Sequence, residues 1–457
     1  MTNNTARIHG TWSSRWTFIL AAAGSAIGLG NLWKFPYVAG ANGGGAFVLV
    51  YLLCIALVGI PVMIAEIMLG RRGRQSPINA MRRVTSEAGL PRFWNSIGWL
   101  GVIGALMILS YYAVVAGWAL QHIGAALSGD FQGTNALASS QRFAALLGDA
   151  SSLVLWQSIF MIMTVAVVIG GVVKGLGVAV RVMMPVLLLL LVLLLIFGYR
   201  EGNFSAGRSF MFNLDFGALT LHGVLVALGH SFFTLSLGMG AIMAYGAYMP
   251  DNARIGSTVL MIGGLDTVVS IMAGLVIFPI VFAHPELQPS EGPGLLFVSL
   301  PVAFGNMPAG LFFGALFFIL VTLAAWSSAI SLLEPGVAWL IESKGFSRFT
   351  ANLLLGLIAW GLGLGTVLSF SAWENYRLLG FNFFEFLDFI TSSVMLPLTG
   401  LFIAVFVGWV MKEYIVREEL ADDSPWMMGI WYPLVRYLSP ILVAVVLVAG
   451  IYDVLLR

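Results

Sequence analysis

Apolar segments long enough to cross a bilayer recur along the whole chain, separated by short polar connections. A helix needs about 20 residues to span the hydrocarbon core of a membrane. By this criterion the pattern predicts eleven spans, numbered here in chain order: 16–38, 43–69, 96–124, 152–172, 178–198, 221–248, 256–283, 308–341, 350–370, 384–411 and 433–455. We therefore predict an all-α polytopic membrane protein that forms a single transmembrane domain over residues 1–457.

The composition agrees with this pattern and excludes several other classes of protein. Of the 457 residues, 59% are hydrophobic and only 9% are charged, which is far from the balance of soluble domains. The net charge of +1 gives no reason to expect a nucleic acid as partner, and we expect the lipid bilayer instead. Cys54 is the only cysteine, so an internal disulfide and a cysteine-based metal cluster are both excluded. We expect no organic cofactor.

The positions of lysine and arginine in the connections predict the orientation. With the N-terminus inside, sixteen of these residues lie on the inner side and five on the outer side, with Lys34 left within span 1. Cytoplasmic connections carry such an excess. We therefore expect a cytoplasmic N-terminus and, after eleven spans, an external C-terminus.

Span 1 contains a stretch that a simple anchor helix does not need. In AAGSAIGLGNLWKFP (22–36), three glycines precede Asn31 and Lys34. Glycine weakens a helix, and polar side chains are costly at membrane depth. Unwound backbone persists there only when it is buried in protein or lines a wet cavity. We interpret residues 22–31 as a broken helix whose freed backbone groups bind a ligand. The alternative is a glycine-rich face for helix packing.

Span 6 repeats this interruption. The sequence Gly238-Met239-Gly240 resembles Gly28-Leu29-Gly30, and the two lie five spans apart, so the two halves would have opposite orientations. A matched pair of glycine-interrupted spans indicates an inverted-repeat transporter with its site near the midplane. We predict a first repeat over 16–198, a second repeat over 221–411, and an additional span at 433–455.

Few ionisable residues fall inside the spans, and each is a functional candidate because charge is costly there. They are Lys34, Glu66, His230, Asp266 and Glu334, with Asp388 near the start of span 10. For Glu66 we favour a structural role, in which the carboxylate accepts backbone N–H groups that the broken helices leave unpaired. Glu334 precedes Pro335 and could hold a kinked helix. We assign no role to His230 or Glu334.

Oxygen-bearing side chains near Asp266 suggest a site for a hard cation. Ser270 lies one helical turn after Asp266, and hard cations such as Na⁺ take oxygen ligands. Thr234, Ser327 and Ser328 could contribute hydroxyls. Each hydroxyl could equally bond the backbone of its own helix.

These stretches resemble the neurotransmitter:sodium symporter family, and more closely its bacterial amino-acid branch. The resemblance is carried by GSAIGLGNLWKFPYVAGANGGGAF (24–47), GIPVMIAEIMLGR (59–71), Tyr111-Tyr112, FFTLSLGMGAIMAYGAY (232–248) and WSSAISLLEP (326–335). It implies a LeuT-like fold, which is a 5+5 inverted repeat with discontinuous helices 1 and 6. It also implies a location in the bacterial inner membrane.

The resemblance further implies two sodium sites and a substrate pocket. The first sodium site would use Ala26, Asn31, Thr234 and Asp266. The second would use Gly24, Ile27, Ala324, Ser327 and Ser328. The pocket would be formed by Ser25, Ala26, Gly28, Leu29, Gly30, Ile108, Tyr112, Phe233, Thr234, Ser236, Met239, Ser328 and Leu332. In the family, the equivalent of Tyr112 bonds the substrate carboxylate and that of Phe233 covers the pocket from outside.

Gates on both sides of the pocket are implied as well. Lys34 and Asp388 resemble the outer charged gate, although most relatives have arginine at the first position. Because lysine cannot form the two-pronged contact of arginine, this gate is expected to be looser. On the inner side Trp12 resembles a plug residue with Tyr248 and Glu342 as partners. Its basic neighbour is either His9 or Arg7.

The substrate class follows from the resemblance at Gly28. Monoamine carriers of the family have an aspartate there, whereas glycine leaves room for the carboxylate of an amino acid. The wall formed by Ile108, Phe233, Met239 and Leu332 carries no charge, which favours a hydrophobic amino acid; ordinary packing is the alternative.

Chloride dependence is judged from three positions. Ser270 occupies the chloride position, where chloride-dependent members have serine. Asp266 stands one turn away where many members have asparagine, so its carboxylate could supply the negative charge. His230 replaces the expected glutamine. We expect chloride independence.

Together these observations predict a symporter, not an enzyme, that imports a hydrophobic L-amino acid with two Na⁺ ions by alternating access. A proton-coupled transporter of the same fold is the main alternative. A channel or receptor is less favoured, because neither a continuous pore nor a signalling domain is visible in the sequence.

Overall fold

The computed structural model describes residue 12 and residues 14–250, 253–287 and 294–455. These residues are predominantly helical. Nine single helices are long and apolar enough to cross a membrane, and they coincide with predicted spans 2–5 and 7–11. Their bounds are Gly45–Gly73, Arg92–Ser128, Ala150–Ile169, Val172–Glu201, Ile255–Val281, Gly310–Lys344, Arg348–Leu368, Phe383–Val410 and Met427–Tyr452.

Spans 1 and 6 are discontinuous, as predicted. Span 1 consists of Arg15–Ala26 and Gly30–Ala41, which meet at a bend of 48°. Span 6 consists of Leu221–Thr234 and Ala241–Ala247, joined by six residues without helical structure. Neither piece of span 6 is long enough to cross a bilayer by itself. For this reason the described residues give nine membrane-length helices, or ten with the bent span 1, where the sequence predicted eleven spans.

The break in span 6 has a backbone conformation that a continuous helix cannot contain. Ser236, Gly238 and Gly240 have φ angles of +54°, +72° and +70°. Such angles are ordinary for glycine but costly for a residue with a side chain. A Cβ atom on Gly238 would also lie 2.7 Å from the carbonyl oxygen of Leu396 in span 10. Both glycines are therefore required for the turn, and Gly238 is also required for the close approach of span 10.

Spans 3 and 8 form the buried centre of the molecule, and they pack along each other. The first half of span 1 packs against spans 5, 7 and 8. Span 11 is the least buried of the membrane-length helices. Among the described residues, five shorter helices lie in the connections: Pro77–Glu87, Ala136–Gly148, Phe204–Phe212, Leu295–Gly305 and Glu413–Glu419.

The connection between spans 10 and 11 is tied to the end of span 2 by ion pairs. Arg71 Nε lies 2.9 Å from Glu419 Oε2, and Arg72 Nη1 lies 3.1 Å from Glu418 Oε2. Arg71 also donates to the Ala253 carbonyl at 3.0 Å, next to the start of span 7. These contacts hold the ends of spans 2 and 7 beside the short helix Glu413–Glu419.

Replacement of Gly70 by alanine is expected to destabilise the fold. A Cβ atom at Gly70 would lie 2.0 Å from the Met243 carbonyl oxygen, so span 2 and the second half of span 6 would have to separate. Overpacking of this kind costs about 1–3 kcal/mol. Thermal unfolding of the purified protein in detergent measures the effect. Gly124→Ala in span 3 is the control, because nothing lies within 4 Å of its added Cβ. Equal melting temperatures for the two variants would contradict the prediction.

Candidate functional site

A small buried cavity lies where the breaks in spans 1 and 6 meet spans 3 and 8. Its volume is about 20 Å³. The lining residues are Ser25, Ala26, Gly28, Gly30, Ile108, Tyr112, Phe233, Ser236, Met239, Ser328 and Leu332. All eleven belong to the thirteen residues predicted for the substrate pocket. Of the other two, Leu29 lines a larger cavity on the far side of Phe233, and Thr234 contacts Asp266.

Gly28 lies at the narrowest point of this cavity. A Cβ atom on Gly28 would lie 2.3 Å from Ser328 Oγ and 2.8 Å from the Tyr112 hydroxyl oxygen. The same Tyr112 oxygen accepts a hydrogen bond from the Leu29 N–H at 3.0 Å. Two hydroxyls and the freed backbone of span 1 therefore converge on one point. Only a residue without a side chain leaves space there.

The predicted first sodium site is a closed cluster of polar groups from spans 1, 6 and 7. Asn31 Nδ2 donates to Asp266 Oδ1 at 2.7 Å, and Thr234 Oγ1 donates to the same oxygen at 3.0 Å. Asn31 Oδ1 accepts the Gly28 N–H at 2.9 Å, which ties the cluster to the break in span 1. All three side chains are fully buried. The fourth predicted member, Ala26, lines the adjoining cavity.

Span 2 adds a residue to this cluster that the sequence did not single out. The Tyr51 hydroxyl donates to Asp266 Oδ2 at 3.4 Å and lies 3.2 Å from Ser270 Oγ. Ser270 Oγ in turn accepts from Asn31 Nδ2 at 2.9 Å. Asp266 forms no salt bridge within the described ranges, and an uncompensated buried carboxylate is costly. A small cation at this carboxylate would reduce that cost.

The predicted second sodium site lies at the crossing of spans 1 and 8. Ser328 Oγ is 3.5 Å from the Gly24 carbonyl oxygen and 3.4 Å from that of Ile27. Ser327 Oγ is 3.5 Å from the Ile27 oxygen and also donates to the Ala324 carbonyl at 3.0 Å. The five predicted residues therefore contact one another. Their facing atoms are oxygens, which is the ligand type that Na⁺ prefers.

The predicted outer gate is closed by a single contact. Lys34 Nζ lies 3.4 Å from Asp388 Oδ1, and it lies 4.7 Å from the centre of the Phe233 ring. Tyr111 and Ser392 donate to the same Asp388 oxygen at 3.3 and 2.8 Å. A second cavity, of about 620 Å³, begins on the other side of this pair. Phe233 and Tyr112 line both cavities.

The predicted inner plug is only partly as expected. Trp12 packs edge-on against Tyr245 and Tyr248, with ring centres 5.7 and 6.3 Å apart, and its backbone N–H donates to the Tyr248 carbonyl at 3.1 Å. Glu342 accepts instead from the Ser76 N–H at 2.8 Å, in the connection between spans 2 and 3. Of the possible basic neighbours, His9 and Arg7 lie outside the described residues.

The structure gives Glu334 a position that the sequence left open. Tyr248 donates its hydroxyl proton to Glu334 Oε1 at 3.2 Å, and the Arg348 guanidinium pairs with Glu334 Oε2. Arg348 Nε also donates to the Val168 carbonyl at 2.8 Å. Glu334 therefore connects the partner of Trp12 to the start of span 9 and the end of span 4. The sequence offered only two signals for this ion pair, which were a buried acid in span 8 and an arginine at the start of span 9.

The two remaining buried ionisable residues differ in their surroundings. Glu66 Oε2 accepts the Gly238 N–H at 3.1 Å, which is the kind of contact expected for its favoured structural role. His230 is buried between the rings of Phe35 and Tyr51, with ring centres 6.1 and 5.4 Å away, and it lines the larger cavity. Sequence and structure together still assign no role to His230.

Two broken helices that meet at a buried cavity, within a bundle of membrane-length helices, define a helical membrane transporter. The described geometry is matched by known proteins. The chain matches the model of the Sodium:neurotransmitter symporter family over residues 9–137 and 130–455. The chain belongs to this family, and it is a sodium-dependent symporter rather than an enzyme.

Individual relatives support the same conclusion. An uncharacterized sodium-dependent transporter of Bacillus subtilis (strain 168), YhdH, is 35% identical over 438 residues, which are 95% of this chain and 96% of that protein. One from Haemophilus influenzae is 30% identical over 459 residues, which are 99% of this chain and 100% of that protein. A crystal structure of MhsT in complex with L-phenylalanine has a TM-score of 0.89 and 40% identity, and it covers 97% of this chain and 100% of that chain.

Sodium is expected to stabilise the protein by binding at the crossing of spans 1 and 8. A ligand that binds only the folded state at 100 times its Kd adds about 2.7 kcal/mol of stability. Replacing choline by Na⁺ should therefore raise the melting temperature, and Ser327→Ala should reduce that increase because one oxygen ligand is lost. Ser369→Ala is the control, since this buried hydroxyl bonds the Thr366 carbonyl in span 9. A sodium effect of equal size in all three proteins would contradict the assignment.

Proposed function

We propose that the protein imports hydrophobic L-amino acids, from aliphatic to aromatic, together with two Na⁺ ions by alternating access. The observation that carries this proposal is the convergence of polar groups on Gly28. The Ser328 and Tyr112 hydroxyls lie against Gly28, and Asn31 links its N–H to the Asp266 carboxylate. A substrate carboxylate at Gly28 would lie beside the first sodium ion. It would also lie at the N-terminal end of the helix Gly30–Ala41, where the helix dipole favours an anion.

The rest of the cavity wall supports a hydrophobic side chain. Ile108, Phe233, Met239 and Leu332 are apolar, and none carries a charge that a polar substrate could use. Methionine is flexible and adapts to differently shaped partners. The cavity volume of about 20 Å³ is close to the space of one water molecule, so side chains must separate to admit an amino acid. The similar protein MhsT has been crystallised in complex with L-phenylalanine, an amino acid of the proposed class.

Coupling between ion and substrate follows from their opposite charges. The substrate carboxylate and the first Na⁺ each reduce the cost of burying the other, so neither binds well alone. The second Na⁺, at Ser327 and Ser328, would hold the first half of span 1 against span 8. Its release toward the cytoplasm would free span 1 to move. In this scheme spans 1, 2, 6 and 7 rock against a scaffold formed by spans 3, 4, 8 and 9.

The proposed orientation in the membrane, and with it the direction of transport, depends on where the lysine and arginine residues lie. The excess of lysine and arginine on one side favours a cytoplasmic N-terminus and an external C-terminus, in a bacterial inner membrane. In that orientation the larger cavity faces the outside, and Trp12 lies on the cytoplasmic side. Phe233 with Lys34 and Asp388 would then form the outer gate, and Trp12 with Tyr248 the inner one.

Chloride independence is part of the proposal, and the Asp266 carboxylate supports it. The hydroxyls of Tyr51 and Thr234 donate to this carboxylate, and Ser270 Oγ lies in the same cluster. Hydroxyls arranged in this way could bind a chloride ion if no carboxylate were present. A negative charge on Asp266 would make that ion unnecessary.

Uptake in proteoliposomes tests the proposed function. With an inward Na⁺ gradient, radiolabelled leucine and phenylalanine should accumulate, whereas choline in place of Na⁺ should abolish accumulation because the substrate carboxylate loses its counter-ion. Uptake that continues in choline and follows a proton gradient would replace this proposal with proton coupling. A lack of uptake for both amino acids under a Na⁺ gradient would reject the substrate class.

Asp266→Asn is expected to make transport depend on chloride. Without the carboxylate, the hydroxyls of Tyr51, Thr234 and Ser270 can accept a chloride ion in its place. Leucine uptake by this variant should fall about ten-fold in gluconate and recover substantially in chloride, whereas the unmodified protein should be indifferent to the anion. Asp149→Asn, at an exposed aspartate before span 4, is the control. Equal anion dependence in the variant and the unmodified protein would reject the role of Asp266.

A further inference from the structure

Two buried serines face each other at the crossing of spans 1 and 8. Ser25 Oγ donates to Ser331 Oγ at 2.7 Å, and Ser331 Oγ donates to the Ser328 carbonyl at 2.7 Å. A hydroxyl has one proton and two acceptor lone pairs. Ser25 therefore has its proton engaged, while its lone pairs remain available. In the part of the chain that the structure describes, no group donates a hydrogen bond to Ser25 Oγ.

Ser25 lines the cavity, and Ser331 lies behind it. Ser331 follows Ser328 by three residues in the helix Gly310–Lys344, which is a rise of about 4.5 Å. Ser25 lies in the last turn of the helix Arg15–Ala26, before the break that contains Gly28, so the serine pair is displaced along span 8 from the Gly28–Ser328 contact. If the substrate carboxylate lies at Gly28, its side chain extends toward the level of Ser25. This step rests on the proposed function.

We propose that Ser25 is a specificity-determining residue that favours an aromatic side chain with a ring N–H, the indole of tryptophan. The indole nitrogen is a donor only, and the available groups of Ser25 are acceptors only, so the two match. A phenyl or aliphatic side chain places no donor against Ser25 and gains nothing from it. Ser331 is a positioning residue, because it takes the Ser25 proton and so presents the lone pairs to the cavity.

An isosteric pair of competitors isolates this hydrogen bond. Tryptophan and 3-benzothienylalanine have nearly the same shape, but a sulfur atom replaces the ring N–H in the second. Both would compete with radiolabelled leucine for Na⁺-driven uptake by the full-length protein in proteoliposomes. The quantity of interest is the ratio of the two inhibitory concentrations, because a general loss of transport leaves the ratio unchanged.

The ratio should change when the acceptor is removed. In Ser25→Ala it should shift about five-fold against tryptophan, the effect of one neutral hydrogen bond. Ser331→Ala should shift it in the same direction, since the Ser25 hydroxyl can then turn its proton toward the ligand. Ser231→Ala is the control, because this buried serine of span 6 bonds the Leu228 carbonyl outside the cavity lining, and its ratio should match that of the unmodified protein.

The outcomes separate this inference from the proposed function. Normal leucine uptake with an unchanged ratio in both Ser25→Ala and Ser331→Ala would overturn the role of Ser25 and leave the proposed function intact. If Ser25→Ala does not fold, the ratio in Ser331→Ala decides alone. A lack of leucine uptake by the unmodified protein would overturn the proposed function, and this inference with it.

Discussion

The structure depends on one constraint, which is that backbone polar groups freed inside a membrane must still find partners. Breaking spans 1 and 6 leaves N–H and C=O groups without helical hydrogen bonds, and lipid offers none. Side chains from neighbouring elements supply them. Asn31 accepts the Gly28 N–H, Glu66 accepts the Gly238 N–H, and Tyr112 accepts the Leu29 N–H. Ser236 donates back to the Ser25 carbonyl. Polar residues in the spans are therefore as much structural as functional.

The same constraint explains why the cavity and both proposed ion sites lie together. Unwound backbone occurs at the two breaks. A polar side chain is buried there at low cost because it forms hydrogen bonds with that backbone. Asp266 is stabilised by the Asn31 amide and the Thr234 hydroxyl, and Ser328 is stabilised by carbonyls of span 1. Because these contacts join spans 1, 6, 7 and 8, a change at one site alters the position of the others. The proposed coupling of ion and substrate would act through this shared set of contacts.

The two proposed gates use different physical means. On one side Lys34 Nζ lies 3.4 Å from Asp388 Oδ1 and packs over the Phe233 ring. A small movement of these side chains would break the contact. On the other side Trp12 is buried against two tyrosines, and Tyr248 continues to the Glu334–Arg348 ion pair. Removing one partner of a buried ion pair is costly, so the proposed gate at Trp12 has the stronger contacts of the two.

The amino-acid sequence by itself determined the spans, the two breaks and the residues that line the cavity. A membrane helix must be long and apolar enough to cross the bilayer, which identifies the spans. Gly28 and Gly238 indicate where the helices of spans 1 and 6 are interrupted. Family motifs then identified most of the pocket. The tertiary structure decided the contacts that join residues distant in sequence. Tyr51 reaches Asp266, Glu334 pairs with Arg348, and Glu342 bonds Ser76 rather than Trp12. A hydrogen bond depends on distance and direction between atoms, and local sequence patterns do not specify how helices approach one another.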